Sequence, residues 1–337
     1  MRYRAKDIAR ELGVSPAAVS LVLNNKPGVG EEKRQEIIRK VVELGCEYLL
    51  KDNNVAKGDI GFVIYKCGGE VIEEYPFFNY LSESIIKEIE ANNYKMTMMY
   101  LDKNMPLSER YLAMEDFRYA GYIIYAVEMY PEDMEFFSKL SAPCVFLDNP
   151  LPTLNVDAVT VDNFLGIYQG FEYLYRMGHR EFGYIKSRFP IICFDQRYQA
   201  FKECLRQRGL VFEERYVMNV GYLEAQTEKD VERYLDESES LPTAFLADND
   251  LLACRALQAF KKRGIRVPKE VSFVGFDNRP ICSFIEPKVT TVQLPGEEMG
   301  EMAVKALVEK IEKTRGYNIK YKIEPRLVEN ESVEKLL

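Results

Sequence analysis

Along the first 45 residues, apolar positions recur at helical spacing in three short blocks. In the second block, "VSPAAVSLVLNN" (14–25), Val19, Val22 and Leu23 stand at i, i+3, i+4 and form one buried face. Ala17, Leu21 and Asn24 form the opposite, outward face, which carries no charge. Ser15 is a strong N-cap, and Pro16 takes the first helical position, where a missing N–H costs nothing. Gly45 suits the left-handed residue that follows a helix. The spacing predicts helices over Ala5–Leu12, Pro16–Asn24 and Glu31–Leu44, with Gly13 and Val14 as a turn. Ile8 and Leu12 then meet Val19, Val22 and Leu23 across that turn, a helix-turn-helix arrangement.

From Asp59 the pattern changes to apolar runs alternating with amphipathic stretches. Strands are predicted at 60–65, 95–101, 121–127 and 144–148, with helices over 81–93 and 107–118. A second series follows, with strands at 180–186, 216–220, 244–247 and 271–277 and helices around 196–208, 227–236 and 250–263. Strand, helix, strand at this spacing means parallel sheets with right-handed crossovers. The fold class is therefore an all-α head followed by an α/β body of two Rossmann-like lobes, whose ligands collect beyond the carboxyl ends of the strands.

Composition sharpens this picture. With 337 residues, 47% hydrophobic and 29% charged, the chain is long enough for two or three domains around a large core. It has no run of the roughly 18 apolar residues that a membrane helix requires, so a cytoplasmic protein without membrane contact is expected. Seven scattered cysteines without a CxxC pair argue for reduced thiols and against a disulfide framework or a metal site. The net charge is −8, yet residues 1–30 carry five basic side chains against two acidic ones. A small basic head on an acidic body assigns any polyanion binding to the head.

Two segments carry a family resemblance. "KDIARELGVSPAAVSLVLNNKPGVGEEKRQEIIRKVVELG" resembles the DNA-binding head of the LacI/GalR family of bacterial transcription regulators. In the body, "YPFFNYLSESIIKEIEANNYKM", "YRMGHREFGYI" and the long "AFLADNDLLACRALQAFKKRGIRVPKEVSFVGFDN…EPKVTTVQLP" are similar to that family's core. The resemblance implies a head over 1–48, a hinge over 49–58 and an effector-binding, dimerising body over 59–337. Within the body, the first lobe takes about 59–160 plus 291–323, and the second about 161–290 plus 324–337. The expected function is a ligand-responsive regulator, a repressor by preference. It binds a palindromic double-stranded DNA operator as a homodimer and needs no cofactor.

By this resemblance the second helix enters the major groove with Pro16, Ala17 and Leu21 against base edges. An apolar ridge reads thymine by its methyl group and makes none of the bidentate bonds that usually dominate direct readout, so DNA shape carries part of the specificity. Tyr3, Arg4, Ser15, Ser20, Asn24, Asn25 and Lys26 are the expected phosphate contacts. Family members deliver a leucine wedge into the minor groove from the hinge. Here the link reads "CEYLLKDNNVAKGDIG", with Gly58-Asp59 where that leucine belongs. Two alternatives follow: Leu49 or Leu50 as the wedge, or a plain linker.

The resemblance places Phe77, Phe78, Asp148, Asn149, Arg197, Tyr222, Asn249 and Asp277 around an effector cleft. Carboxylates, amides and a guanidinium suit the hydroxyls of a sugar, while the aromatic rings keep a purine or other nucleobase as the alternative effector. Two other classes compete: a solute-binding protein of the same fold, which has no use for a basic head, and a sugar-acting enzyme. The sole histidine, His179, sits between a helix and a strand without a nucleophile beside it, and neither GxxxxGK[ST] nor GxGxxG after a strand is present. No catalytic residue is expected.

Overall fold

A computed structural model of the chain describes residues 3–50, 56–69, 71–72, 78–114, 119–137 and 139–336. The head consists of α1 (Ala5–Leu12), α2 (Pro16–Leu23) and α3 (Glu31–Glu43). The Ser15 hydroxyl accepts the Ala18 N–H at 3.1 Å, and Gly13 turns the chain at φ +62°. Ile8, Val19, Val22, Ile37, Ile38 and Val41 fill the small core, each side chain worth about 1.5–3 kcal/mol on burial. Leu49 and Leu50, expected in the linker, pack against this core instead. An apolar cluster of so few residues recruits whatever apolar side chains follow it. Of the hinge residues, 51–55 lie outside the described segments.

The body holds two six-stranded sheets. The first contains β1 (Asp59–Lys66), β2 (Lys95–Asp102), β3 (Tyr119–Tyr125), β4 (Cys144–Leu147), β5 (Asp157–Val161) and β11 (Lys320–Ile323), paired in parallel in the order β11-β5-β4-β3-β1-β2. The second contains β6 (Phe182–Ser187), β7 (Val217–Val220), β8 (Ala244–Ala247), β9 (Ser272–Asp277), β10 (Thr290–Gln293) and β12 (Arg326–Val328), in the order β12-β10-β9-β8-β6-β7. Only the edge strand β12 runs antiparallel among the paired strands described. Central strands buried on both faces explain the unbroken apolar runs of the sequence.

The chain crosses between the lobes three times. Strand β5 leads into the helix Asn163–Arg176, which packs on the second sheet, and β10 leads into the helix Gly296–Ile311, which packs on the first. The third crossing joins β11 to β12. Strand β10 therefore belongs wholly to the second lobe, so the crossing falls after Gln293 and not near 290 as expected. Three further helices begin earlier than their spacing suggested, at Phe78 (Phe78–Ala91), Ile192 (Ile192–Gln207) and Glu224 (Glu224–Glu237).

Candidate effector cleft and DNA-reading helix

Asp148, Asp248 and Asn249 immediately follow β4 and β8, Tyr125 and Asp277 end β3 and β9, and all stand at carboxyl ends of strands. There Arg197 is 3% exposed and lies over the Phe276 ring at 3.7 Å. Its Nε donates to Asn163 Oδ1 at 2.8 Å. One terminal nitrogen donates to the Asp248 carbonyl at 2.5 Å and to Asp277 Oδ1 at 3.3 Å. The other oxygen of Asp277 accepts from Arg279 Nε at 2.9 Å. One buried carboxylate thus sits between two buried guanidiniums, and the first-lobe phenol of Tyr125 lies within the field of Asp148, Asp277 and Arg279.

Asp148 faces this group from the first lobe at φ +61°, and its carbonyl accepts the Cys193 thiol across the lobes. Its Oδ1 is buried without a hydrogen-bond partner among the described residues. Burial lifts its carboxyl to about 7 against the pull of Arg197 and Arg279. Asp248 and Asp250 are lifted to about 7 by the same cause. Asp248 accepts from the Tyr184 hydroxyl at 2.8 Å and the Ser187 N–H at 2.6 Å. Asp250 accepts the Arg279 N–H at 2.6 Å and the Thr291 hydroxyl. Beside Asp277 and Arg279 opens a groove of about 460 Å³, walled on the first lobe by Glu83, Ser84 and Lys87.

The other expected cleft residues divide by how their polar atoms are used. Asn149 donates to the Ala126 and Met129 carbonyls and accepts the Leu151 N–H, so its amide ties the loop after β4 to the loop after β3. Asn249 caps the helix Asp250–Lys262 through the Leu252 N–H and donates to the Tyr222 hydroxyl at 2.9 Å. Tyr222 is fully buried and stacked near Phe194 with ring centroids 6.3 Å apart. Phe77 and the Phe78 side chain lie outside the described residues. Sequence reasoning missed Tyr125, Phe194, Arg279 and Asp250. Arg279 had a usable signal, a cation two residues beyond Asp277 at the end of an apolar strand.

On the head, Pro16, Ala17 and Ser20 are exposed, while Leu21 is half-buried and leans over the loop at Gly28. Asn24 donates to the Ser20 carbonyl at 2.7 Å, and Arg34 donates to Asn25 Oδ1 at 3.3 Å and to the Lys26 carbonyl. Arg4 is exposed and Tyr3 half-buried, its carbonyl taken by the Tyr48 hydroxyl at 3.0 Å. His179 bridges the Thr243 hydroxyl at 2.9 Å and the Glu334 carbonyl at 3.1 Å, a clamp on the C-terminal segment.

A capped three-helix head followed by a two-lobed α/β body with a polar cleft defines the class of DNA-binding regulators built on a periplasmic-binding-protein-like core. The family model described as "Bacterial regulatory proteins, lacI family" matches residues 5–46, and that of the "Periplasmic binding protein-like domain" matches residues 171–333. The chain is a transcriptional regulator of the lacI family. It is similar to the HTH-type transcriptional regulator DegA of Bacillus subtilis (strain 168), 26% identical over 305 residues and 89% of each chain. To the HTH-type transcriptional repressor PurR of Pasteurella multocida (strain Pm70) it is 25% identical, over 98% of this chain and 99% of that one. Among solved structures, the transcriptional regulator CelR–cellobiose complex superposes with a TM-score of 0.74 at 22% identity, covering 98% of this chain and all of that one. The lac repressor dimer bound to operator and the anti-inducer ONPF gives 0.72 at 18% identity, covering 99% and 100%.

Proposed function

We propose that the chain represses transcription by binding a palindromic operator as a homodimer, with a small polar effector between the lobes, a sugar by preference, controlling its affinity for DNA. The head, which Leu49 and Leu50 join by packing on its core, and the body over 59–337 are its functional units. The observation that carries the effector reading is the unpartnered Asp148 oxygen facing the Arg197–Asp277–Arg279 group. A buried acceptor without a donor is costly, and a ligand hydroxyl supplies one while the guanidiniums donate to the neighbouring oxygens. The exposed Pro16 and Ala17, with the half-buried Leu21 beside them, support an apolar reading ridge, and the exposed Ser20 a phosphate contact. Ile86 and Met98 on the first lobe and Phe284 on the second are exposed apolar side chains that a second copy could cover.

A second reading, a nucleobase effector, is favoured by the near-parallel rings of Phe194 and Tyr222 beside Tyr125. A thermal-shift screen of monosaccharides, disaccharides and nucleobases separates the two. Stabilisation by sugars alone supports the first reading, and stabilisation by bases alone replaces it with the second. Gel shifts with the gene's own upstream palindrome across a salt series test the regulator. A duplex that competes no better than random DNA at every salt concentration removes the operator from the proposal.

A further inference from the structure

The loop that follows β1 closes around a carboxylate. Glu128, 1% exposed, accepts the N–H groups of Cys67 (3.0 Å), Gly68 (3.1 Å) and Gly69 (2.8 Å) on Oε2, and those of Val71 (3.0 Å) and Ile72 (3.1 Å) on Oε1. Gly69, at φ +81°, permits the turn that aims these amides inward. Converging backbone N–H groups form an anion receptor, and here the anion belongs to the chain itself. Asp133 ties the two loops again: it accepts the Tyr130 N–H at 3.0 Å and the Cys67 thiol at 3.3 Å, and it pairs with Lys103 at 3.2 Å. Residues 67–69, 71–72 and 126–133, which follow β1 and β3, are thereby one bonded unit.

That unit meets the second lobe at two points. The Tyr130 hydroxyl donates to the Pro190 carbonyl at 3.0 Å, and the Phe189 ring lies 3.1 Å from where a Cβ on Gly68 would stand. Phe189 and Pro190 follow the carboxyl end of β6, so both contacts lie on the edge where Asp148 and Asp277 face each other. A residue larger than glycine at 68 would push the Phe189 ring away.

We propose that Glu128 is a positioning residue for closure of the cleft: by filling the amide receptor it stiffens a first-lobe jaw whose Tyr130 and Gly68 latch onto Pro190 and Phe189. The inference rests on the effector reading only for what closure serves, and its test uses neither effector nor DNA. Its failure and the failure of that reading are therefore separate results.

The experiment compares the full chain with Glu128→Ala, Glu128→Gln and Tyr130→Phe by hydrogen-exchange mass spectrometry over 66–72 and 187–191, and by small-angle scattering. In Glu128→Ala, exchange should quicken in both segments by about tenfold or more, the equivalent of one lost charge-assisted hydrogen bond, and the radius of gyration should rise. Sodium formate should refill the emptied receptor and restore slow exchange, whereas sodium chloride at equal ionic strength should not. Glu128→Gln, whose side chain still occupies the space, should gain nothing from formate. Tyr130→Phe should quicken 187–191 while 66–72 stays slow. Unchanged exchange at 187–191 in Glu128→Ala, or indifference to formate, overturns the proposal. Where Glu128→Ala does not fold, Tyr130→Phe decides: unaltered exchange at 187–191 and unaltered scattering refute the latch.

Discussion

Asp277 holds two buried guanidiniums, and this asymmetry fixes the order in which substitutions at the cleft should cost stability. Asp277→Asn keeps the shape of the side chain but leaves Arg197 and Arg279, 3% and 5% exposed, without the carboxylate between them. Breaking a buried pair by removing one partner costs about 3–5 kcal/mol, and the loss of a carboxylate shared by two cations places this variant at the upper end. Arg197→Met is milder because Asp277 retains Arg279 at 2.9 Å, and the thioether fills the space over Phe276. What it loses is chiefly the bonds to Asn163 and to the Asp248 carbonyl, which puts the cost at about 2 kcal/mol. The double variant should cost less than the sum, since one of the two cations that shared the carboxylate is gone. The chain has no tryptophan, so urea unfolding followed by far-ultraviolet dichroism and tyrosine fluorescence is the suitable assay. Arg197→Met costing as much as Asp277→Asn, or strict additivity in the double variant, would refute the shared-carboxylate account.

Asp148, lifted to about 7 in the folded chain from an ordinary 3.8, binds its proton more tightly folded than unfolded. Its contribution is therefore complete at low pH and is lost as pH rises through 7. Asp148→Asn should flatten the fall in stability between about pH 4 and 7, which chemical denaturation at stepped pH measures. His179 works in the opposite sense: burial lowers it below its ordinary 6.5, so stability is lost as pH falls below that value. His179→Gln should remove this acid-side loss relative to the parent chain, and an unchanged difference curve counts against the clamp. On the head, Leu21→Ala should weaken operator binding by about 1 kcal/mol or more while sparing random DNA, because a thymine-methyl contact carries sequence information and phosphate contacts do not. Equal loss on both duplexes in a salt-controlled gel shift would exclude Leu21 from base reading.

Local spacing carried the head and the strands. Ser15, Pro16 and Gly13 mark helix ends by backbone chemistry confined to a few residues, and the boundaries Ala5–Leu12 and the start at Pro16 follow from them. The cleft was legible only in part, because a motif names residue types at strand ends and leaves their partners open. Asn149 and Asn249 fit a sugar site by type, yet their amides are engaged by carbonyls, a helix terminus and a phenol. Tyr125 enters only once the ends of β3 and β9 come together, whereas Arg279 could have been found two residues beyond Asp277.

By itself, then, the sequence determined the class of fold, the head and the strand ends where polar groups gather, because helix and strand periodicities and caps act over a turn or two of chain. Only the tertiary structure decided which of those groups satisfy one another and which stay open. Asp148 keeps an oxygen without a donor, while Glu128 spends both of its oxygens on five amides 56 to 61 residues away. Such pairings depend on how two sheets are set against each other by three crossings, and no spacing along the chain encodes that arrangement.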